Sequence, residues 1–351
     1  MNEIVKLAER IQKPDGRARR KASERLDNLT KPKGSLGKLE DLAIKVAGIT
    51  GKLDPSLDNR YSLVFAGDHG VAEEGVSAYP QEVTVQMLAN FIHEGAAVNV
   101  LGNLEGSEVM VIDVGVAAGD LPEKVLDRKV RFGTNNFVKG PAMSRDEAIS
   151  SIMIGYEIVE DLADSGLDLL GLGDMGIANT TPSSAITSVL TVNAPQRVTG
   201  TGTGIDQESL ANKVEVVERG IEVNNPDHED PINVLSKVGG LEIGAITGGY
   251  LAGAANHVPL LVDGFITTSA ALVAYAIEPL VAEYMVASHN SVEQGHMIAL
   301  KHLGLSPLLD LNLRLGEGTG AVLAMNLIRA SMAILNDMYT FAEAGVSTEE
   351  E

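Results

Sequence analysis

From Tyr61 onward the chain alternates short β-rich apolar runs with helix-like segments, and each run stops at Gly, Asp or a small polar residue. The clearest runs are Ser62 to Ala66 ahead of Gly67-Asp68-His69-Gly70, and Val109 to Ile112 ahead of Asp113. Three more are Leu167 to Leu170 ahead of Gly171, Pro259 to Val262 ahead of Asp263-Gly264, and Tyr284 to Ala287 ahead of Ser288-His289-Asn290-Ser291. Runs that are apolar on both faces need cover on both faces, so their alternation with helices specifies an α/β protein with a parallel sheet between helical layers. Ligands of such sheets bind outside the carboxyl ends of the strands. The polar residues that end the runs are therefore expected around one crevice.

The chain ends read differently. Between Asn2 and Gly51 the pattern is helical, with Leu36, Leu39, Leu42, Ala43 and Val46 at helical spacing, Ser35 as candidate N-cap and Lys31-Pro32-Lys33-Gly34 as the preceding turn. From Leu313 to Ala344 runs a second helical pattern with Ala321, Met325, Ile328, Met332, Leu335 and Met338 three and four apart. Its methionines fit core packing, where thioethers fill gaps between helices. The expected organisation is a small helical lobe from 1–58 and 312–351, and a large α/β domain over 59–311. The tail from Ser347 to Glu351 is expected to fray.

Composition narrows the partners. The formal charge of −21 repels polyanions, so nucleic acid is not an expected partner. Nine of the 27 Lys and Arg lie between Lys13 and Lys38, which reads either as an anion site or as a solvated helical face, the ordinary role of a charge run. The absence of Cys excludes disulfides, iron–sulfur clusters and thiolate catalysis, and the N-terminus carries no charged-then-apolar leader pattern. Apolar stretches such as Val258 to Val262 and Ala270 to Ile277 are too short to span a bilayer. A cytoplasmic location with no membrane partner is expected.

Three Gly-rich strings can bring backbone N–H groups close to an anion: Gly171 to Thr181, Thr199 to Asp206, and Gly316-Glu317-Gly318-Thr319-Gly320. Each alone also reads as a tight turn at a strand end; none is a Walker A string, and Gly173 to Ala178 only partly imitates a dinucleotide fingerprint. The ionisable residues at strand ends are Asp68, His69, Asp174, Asp263 and His289. Their spacing matches no common zinc pattern, and no Gly-x-Ser-x-Gly elbow is present. Neither a metal nor another cofactor is expected. Glu317 lies between two glycines with Leu313 and Leu315 just before it. It reads either as an exposed turn residue or as a partly desolvated carboxylate with a raised pKa, suited to a general base.

Taken together, five strings in one order resemble the nicotinate-nucleotide:dimethylbenzimidazole phosphoribosyltransferase family. They are Lys31-Pro-Lys-Gly-Ser-Leu-Gly-Lys-Leu-Glu40, Phe65-Ala-Gly-Asp-His-Gly-Val71, Gly75-Val-Ser-Ala-Tyr-Pro-Gln-Glu-Val-Thr84, Gly173-Asp-Met-Gly-Ile-Ala-Asn-Thr-Thr181 and Gly316-Glu-Gly-Thr-Gly320. The resemblance implies a Rossmann-like sheet, a homodimer, and nicotinate mononucleotide and 5,6-dimethylbenzimidazole as substrates. It puts the catalytic base on Glu317 and the aromatic-base contacts on Ser77, Tyr79, Gln86 and Leu315. Phosphate and ribose contacts map onto Gly176, Gly202, Gly204, Asp263 and Ser291, and the nicotinate or ribose side onto Asp174 and Lys213. The sequence departs from the family pattern in two places: some members have Glu where Asp174 stands and Gly where Ala178 stands, and some have a smaller residue at Tyr79. The rival readings are the same chemistry on a phenol, another benzimidazole or a purine, a catalytically silent nucleotide-binding protein, and a metal-dependent hydrolase.

Overall fold

The computed structural model describes residues 2–202 and 204–347. Its main sheet holds six strands: β1 (Arg60–Gly67), β2 (Ser107–Gly115), β3 (Leu126–Asp127), β4 (Leu169–Met175), β5 (Leu260–Val262) and β6 (Met285–Ala287). All neighbours are parallel in the order β3-β2-β1-β4-β5-β6, the Rossmann order, whose direction of winding reverses between β1 and β4. A small parallel pair, β7 (His289–Ser291) with β8 (Leu309–Leu313), stands beside it.

The five expected runs are all strands, but β4 continues through Gly171 and Gly173 to Met175. Those glycines sit inside the sheet because other elements press on them. A Cβ on Gly171 would meet Ala321 and Met325 at 3.1 Å. The brief β3, the polar β7 and β8, which alternates Leu with Asp and Asn, carry no continuous apolar run and lie outside the five runs.

One face of the sheet is covered by the helix Leu241–Ala255, buried from Leu241 to Ala254 and crossed by the helix Arg145–Asp164. The two backbones approach so closely that a Cβ on Gly155 would enter the carbonyl oxygen of Ala245, and one on Gly248 that of Ile152. The other face is covered by Thr319–Asp337. Its Ala321, Met325, Ile328, Met332 and Leu335 share a core with Leu169, Leu261 and Val286 of the sheet and with Ala22, Leu26, Ala43 and Val46 of the helices Gly16–Asp27 and Lys38–Thr50. The division at 311/312 falls inside β8. This C-terminal helix is also the one described helix long and apolar enough to cross a membrane, against the expectation that no stretch is; its apolar side is occupied by the core just named. The expected frayed tail lies, beyond Ser347, outside the described residues.

The basic N-terminal stretch does more than face water. Lys31, nearly buried, lies 2.9 Å from the Glu40 carboxylate, which also accepts from the Leu36 N–H. Arg25 donates to the carbonyls of Leu335 and Asn336, filling the C-terminal end of the Thr319–Asp337 helix with a positive charge. Arg19 pairs with Glu283 at 2.7 Å. Ser35 is not the helix cap: Gly37, at φ +54°, holds the N-cap position without a side-chain bond, and Ser35 stays exposed in the turn.

The Gly155–Gly248 crossing leaves no room for a methyl group. Gly248→Ala is expected to lower unfolding stability by about 3 kcal/mol, the upper part of the usual overpacking range, read as a lower midpoint in urea at unchanged slope.

Candidate functional site

A cleft of about 410 Å³ opens outside the carboxyl ends of β4 and β5, beside the winding reversal. Its floor runs from Asp174 at the end of β4 through the following loop to Thr180. One wall is Gly264, Phe265 and Ile266 with Ser291 and Glu293, another is Tyr79, Val83 and Met87, and the segment Arg314 to Glu317 closes the last side.

Glu317 occupies a strained loop. Gly316, Glu317 and Gly318 are all left-handed, at φ +79°, +64° and +85°. Glycine takes that conformation freely, whereas for Glu317 it costs about 1–3 kcal/mol and must be enforced by neighbours. Two neighbours do so. Gly173 presses its Cα against the loop, where a Cβ would stand 2.5 Å from the carbonyl carbon of Glu317. From the end of β5, the buried Asp263 accepts the Gly318 N–H on one oxygen and the Ala321 N–H on the other, both at 3.0 Å. It thereby fills the N-terminal end of the Thr319–Asp337 helix, which has no cap of its own. His289 stands 3.8 Å from Asp263, and its Nδ1 lies 3.0 Å from the Ser288 hydroxyl.

The carboxylates here are desolvated. Burial, and after it the charge of Asp263, pushes the Glu317 carboxyl up to about 7. Burial likewise raises Asp174 well above the carboxylate range, with Asp263 next in effect; one Asp174 oxygen accepts from Asn179 Nδ2 at 2.8 Å and the other has no hydrogen-bond partner. Burial also raises Asp263, against the opposing charge of His289 and the backbone N–H groups it accepts. Such a cluster resists full ionisation, so it readily takes up a proton and favours a cation nearby.

Anion-holding groups stand opposite. The helices Thr180–Thr191 and Phe265–Ile277 begin at the cleft with no side-chain cap, because Asn179 gives its amide to Asp174 and Gly264 has no side chain. The free N–H groups at the start of Phe265–Ile277 and the positive ends of both helices suit a phosphate or carboxylate. Lys213 is buried beneath, donating to Thr180 Oγ1 at 2.7 Å and the Gly200 carbonyl at 3.3 Å; burial lowers its pKa to about 8 against the pull of Glu293. Glu293 accepts the Gly202 N–H at 2.9 Å.

Tyr79, Asp174, Gly176, Gly202, Ser291, Leu315 and Glu317 thus line the same cleft. Asp263 and Lys213 act from behind the lining. Ser77 accepts the Tyr79 N–H at 3.3 Å and supports that loop, and Gly204 lies outside beside Arg314. Gln86 is exposed on the helix Val83–Ile92; its neighbours Val83 and Met87, one helical turn apart, face the cleft instead. That i, i+4 apolar pair is visible in the sequence, and Asn179 lies within the Gly173–Thr181 string, whereas nothing local marks Glu293 or Arg314. Asp68 and His69 serve the scaffold, the latter in a fully buried pair with Glu242 at 2.9 Å. Among the described residues no three acids and histidines are grouped to hold a metal.

A Rossmann-type sheet with a buried carboxylate in a cleft at its carboxyl edge is the arrangement of an α/β enzyme. A family model described as phosphoribosyltransferase matches residues 11–346. The chain is 51% identical to the nicotinate-nucleotide–dimethylbenzimidazole phosphoribosyltransferase of Desulforudis audaxviator over 99% of both chains, and 51% identical to that of Chloroflexus aggregans over 96% of both. The crystal structure of the enzyme so named from Thermus thermophilus, 45% identical, superposes with a TM-score of 0.90 over 95% of this chain and 100% of that one. The chain belongs to the nicotinate-nucleotide–dimethylbenzimidazole phosphoribosyltransferase family, a group of glycosyltransferases.

The raised pKa of Glu317 makes its ionised form a cost to the fold. Well below the ordinary value of 4.5 the carboxyl is protonated in both folded and unfolded chains; from there to about 7 the unfolded chain ionises first and stability falls as pH rises. Glu317→Gln is therefore expected to be more stable than the parent at pH 8, by on the order of 1–3 kcal/mol, with the difference vanishing below pH 4.5 in thermal melts.

Proposed function

We propose that this cleft transfers the 5-phosphoribosyl group of nicotinate mononucleotide to 5,6-dimethylbenzimidazole, releasing nicotinate and forming α-ribazole 5′-phosphate, the nucleotide that becomes the lower ligand of cobamides. The observation that carries the reading is Glu317, a buried carboxylate poised near neutrality on one side of a cleft whose other end suits a phosphate. The relatives named above all carry dimethylbenzimidazole in their names, which favours that acceptor over a phenol or a purine.

Nicotinate bonded to C1′ through its ring nitrogen is a pyridinium. When the N–C1′ bond breaks, the electron pair returns to that nitrogen and neutralises it, so departure needs neither an acid nor a metal. The buried carboxylates favour the positive charge that develops at C1′. One benzimidazole nitrogen attacks C1′ from the side opposite the leaving group, inverting β to α. The other nitrogen then carries an excess proton, and Glu317 accepts it. The uncapped ends of Thr180–Thr191 and Phe265–Ile277 hold the 5′-phosphate, with Lys213 and Glu293 fixing the Gly200–Gly202 backbone beside it. Tyr79, Met87 and Leu315 supply the apolar slot for the flat acceptor. Holding both substrates in one cleft supplies much of the remaining acceleration.

The same reading includes a cytoplasmic homodimer. The C-terminal helix does not supply its interface, since its apolar side is buried within the subunit. Val100 and Leu104, 61% and 77% exposed one turn apart on the helix Ala97–Glu105, are the better support. Light scattering is expected to give about twice the chain mass of 36.9 kDa at micromolar concentration.

Purified protein given both substrates is expected to yield a product of the mass and α configuration of α-ribazole 5′-phosphate. Glu317→Gln should keep nicotinate mononucleotide binding and lose about 10² to 10⁴ in turnover, a range typical of a missing general base. The parent rate should fall as pH drops below about 7, and the Gln variant should lack that limb. Unchanged turnover with an unchanged acid limb would move the base to another residue.

A further inference from the structure

The helix Val83–Ile92 and the loop after β4 form adjoining sides of the acceptor slot, and a single hydroxyl joins them. Thr84, wholly buried in the first turn of that helix, donates from Oγ1 to Asp68 Oδ1 at 2.7 Å and accepts the N–H of Ile177 at 3.2 Å. Asp68 is itself fixed, because its other oxygen accepts the Ala117 N–H at 2.8 Å and its backbone is tied to Gly115 and Thr134. On either side of Thr84 stand the groups that meet the ligand space: Val83 and Met87 on the helix, Gly176 and Ile177 on the loop.

The geometry points to Thr84 as a positioning residue for the aromatic acceptor. It touches no substrate. By clamping helix to loop through one oxygen it sets the gap between Met87 and the Gly176–Ile177 backbone, and so the width of the slot a flat ring must enter. This inference rests on the acceptor side proposed above. Thr84→Val keeps the shape of the side chain but leaves a buried Asp68 oxygen and the buried Ile177 N–H without their partner, a loss large enough to let the two walls move apart. Nicotinate mononucleotide is also held in the proposed reaction by the start of Phe265–Ile277 and by the Gly200–Gly202 backbone, which the clamp does not touch, so its binding should change far less.

The test is steady-state kinetics of Thr84→Val, Thr84→Ser and Thr84→Cys on the full chain with both substrates. Thr84→Val is expected to raise the KM for dimethylbenzimidazole by about tenfold, the equivalent of one buried hydrogen bond, while the KM for nicotinate mononucleotide and kcat stay within about twofold. Thr84→Ser retains the hydroxyl and should restore the parent values; Thr84→Cys, a weaker donor and acceptor, should fall between and decides the matter if the Val variant does not fold. An unchanged acceptor KM in the variants, a parallel rise for both substrates, or a Ser variant no better than Val overturns the assignment while parent turnover leaves the functional reading intact. Absence of turnover by the parent itself overturns that reading, and the acceptor role of Thr84 with it.

Discussion

The site depends on one buried carboxylate. Asp263, at the end of β5, commits both oxygens to the N–H groups that open the Thr319–Asp337 helix, and that helix is also the cover of one sheet face. A charge so deep is costly unless it is paired and hydrogen-bonded, and here the positive end of a helix and the nearby His289 offset the cost. The same two bonds fix where the helix begins. Glu317 precedes that beginning by two residues, so the position of the proposed base is set by sheet and helix packing rather than by its own side chain.

Desolvation then tunes the chemistry. In water the acids of a chain with charge −21 would simply be ionised. Inside the cleft, burial raises the pKa of Asp174, Asp263 and Glu317, and a neighbourhood short of positive charge suits a substrate that brings its own cation. In the proposed reaction the phosphate falls to the helix ends, with the buried Lys213 bracing the Gly200 backbone beside them. The basic cluster between Lys13 and Lys38 is largely a solvated face, with Lys13, Arg17, Arg20, Lys21, Lys33 and Lys38 exposed, while its other three members tie the N-terminal helices to their surroundings: Arg25 reaches the C-terminal helix, Arg19 reaches Glu283, and Lys31 braces the turn through Glu40.

Close backbone approach is the second constraint. Gly173 lets the Glu317 loop lie directly on β4, and Gly155 and Gly248 let the helices Arg145–Asp164 and Leu241–Ala255 on the other face cross with their backbones in close approach. Strain at Glu317 persists because the packing on both sides leaves the loop no relaxed alternative.

The sequence by itself determined the layered α/β class, five of the six main strands and the helical character of both ends, because apolar periodicity reports burial directly. It also determined the family, since five ordered strings match, and through that match it named seven of the residues that line the cleft. Tertiary structure decided what no local pattern encodes. Glu317 is buried rather than an exposed turn residue because Gly173 and Asp263, from strands distant in sequence, enclose it. Val83 and Met87 line the cleft while Gln86 is exposed, because the helix presents its i, i+4 apolar pair inward. Glu293 and Thr84 gain their roles from partners 91 and 93 residues away, and hydrogen bonds across such separations leave no period to read.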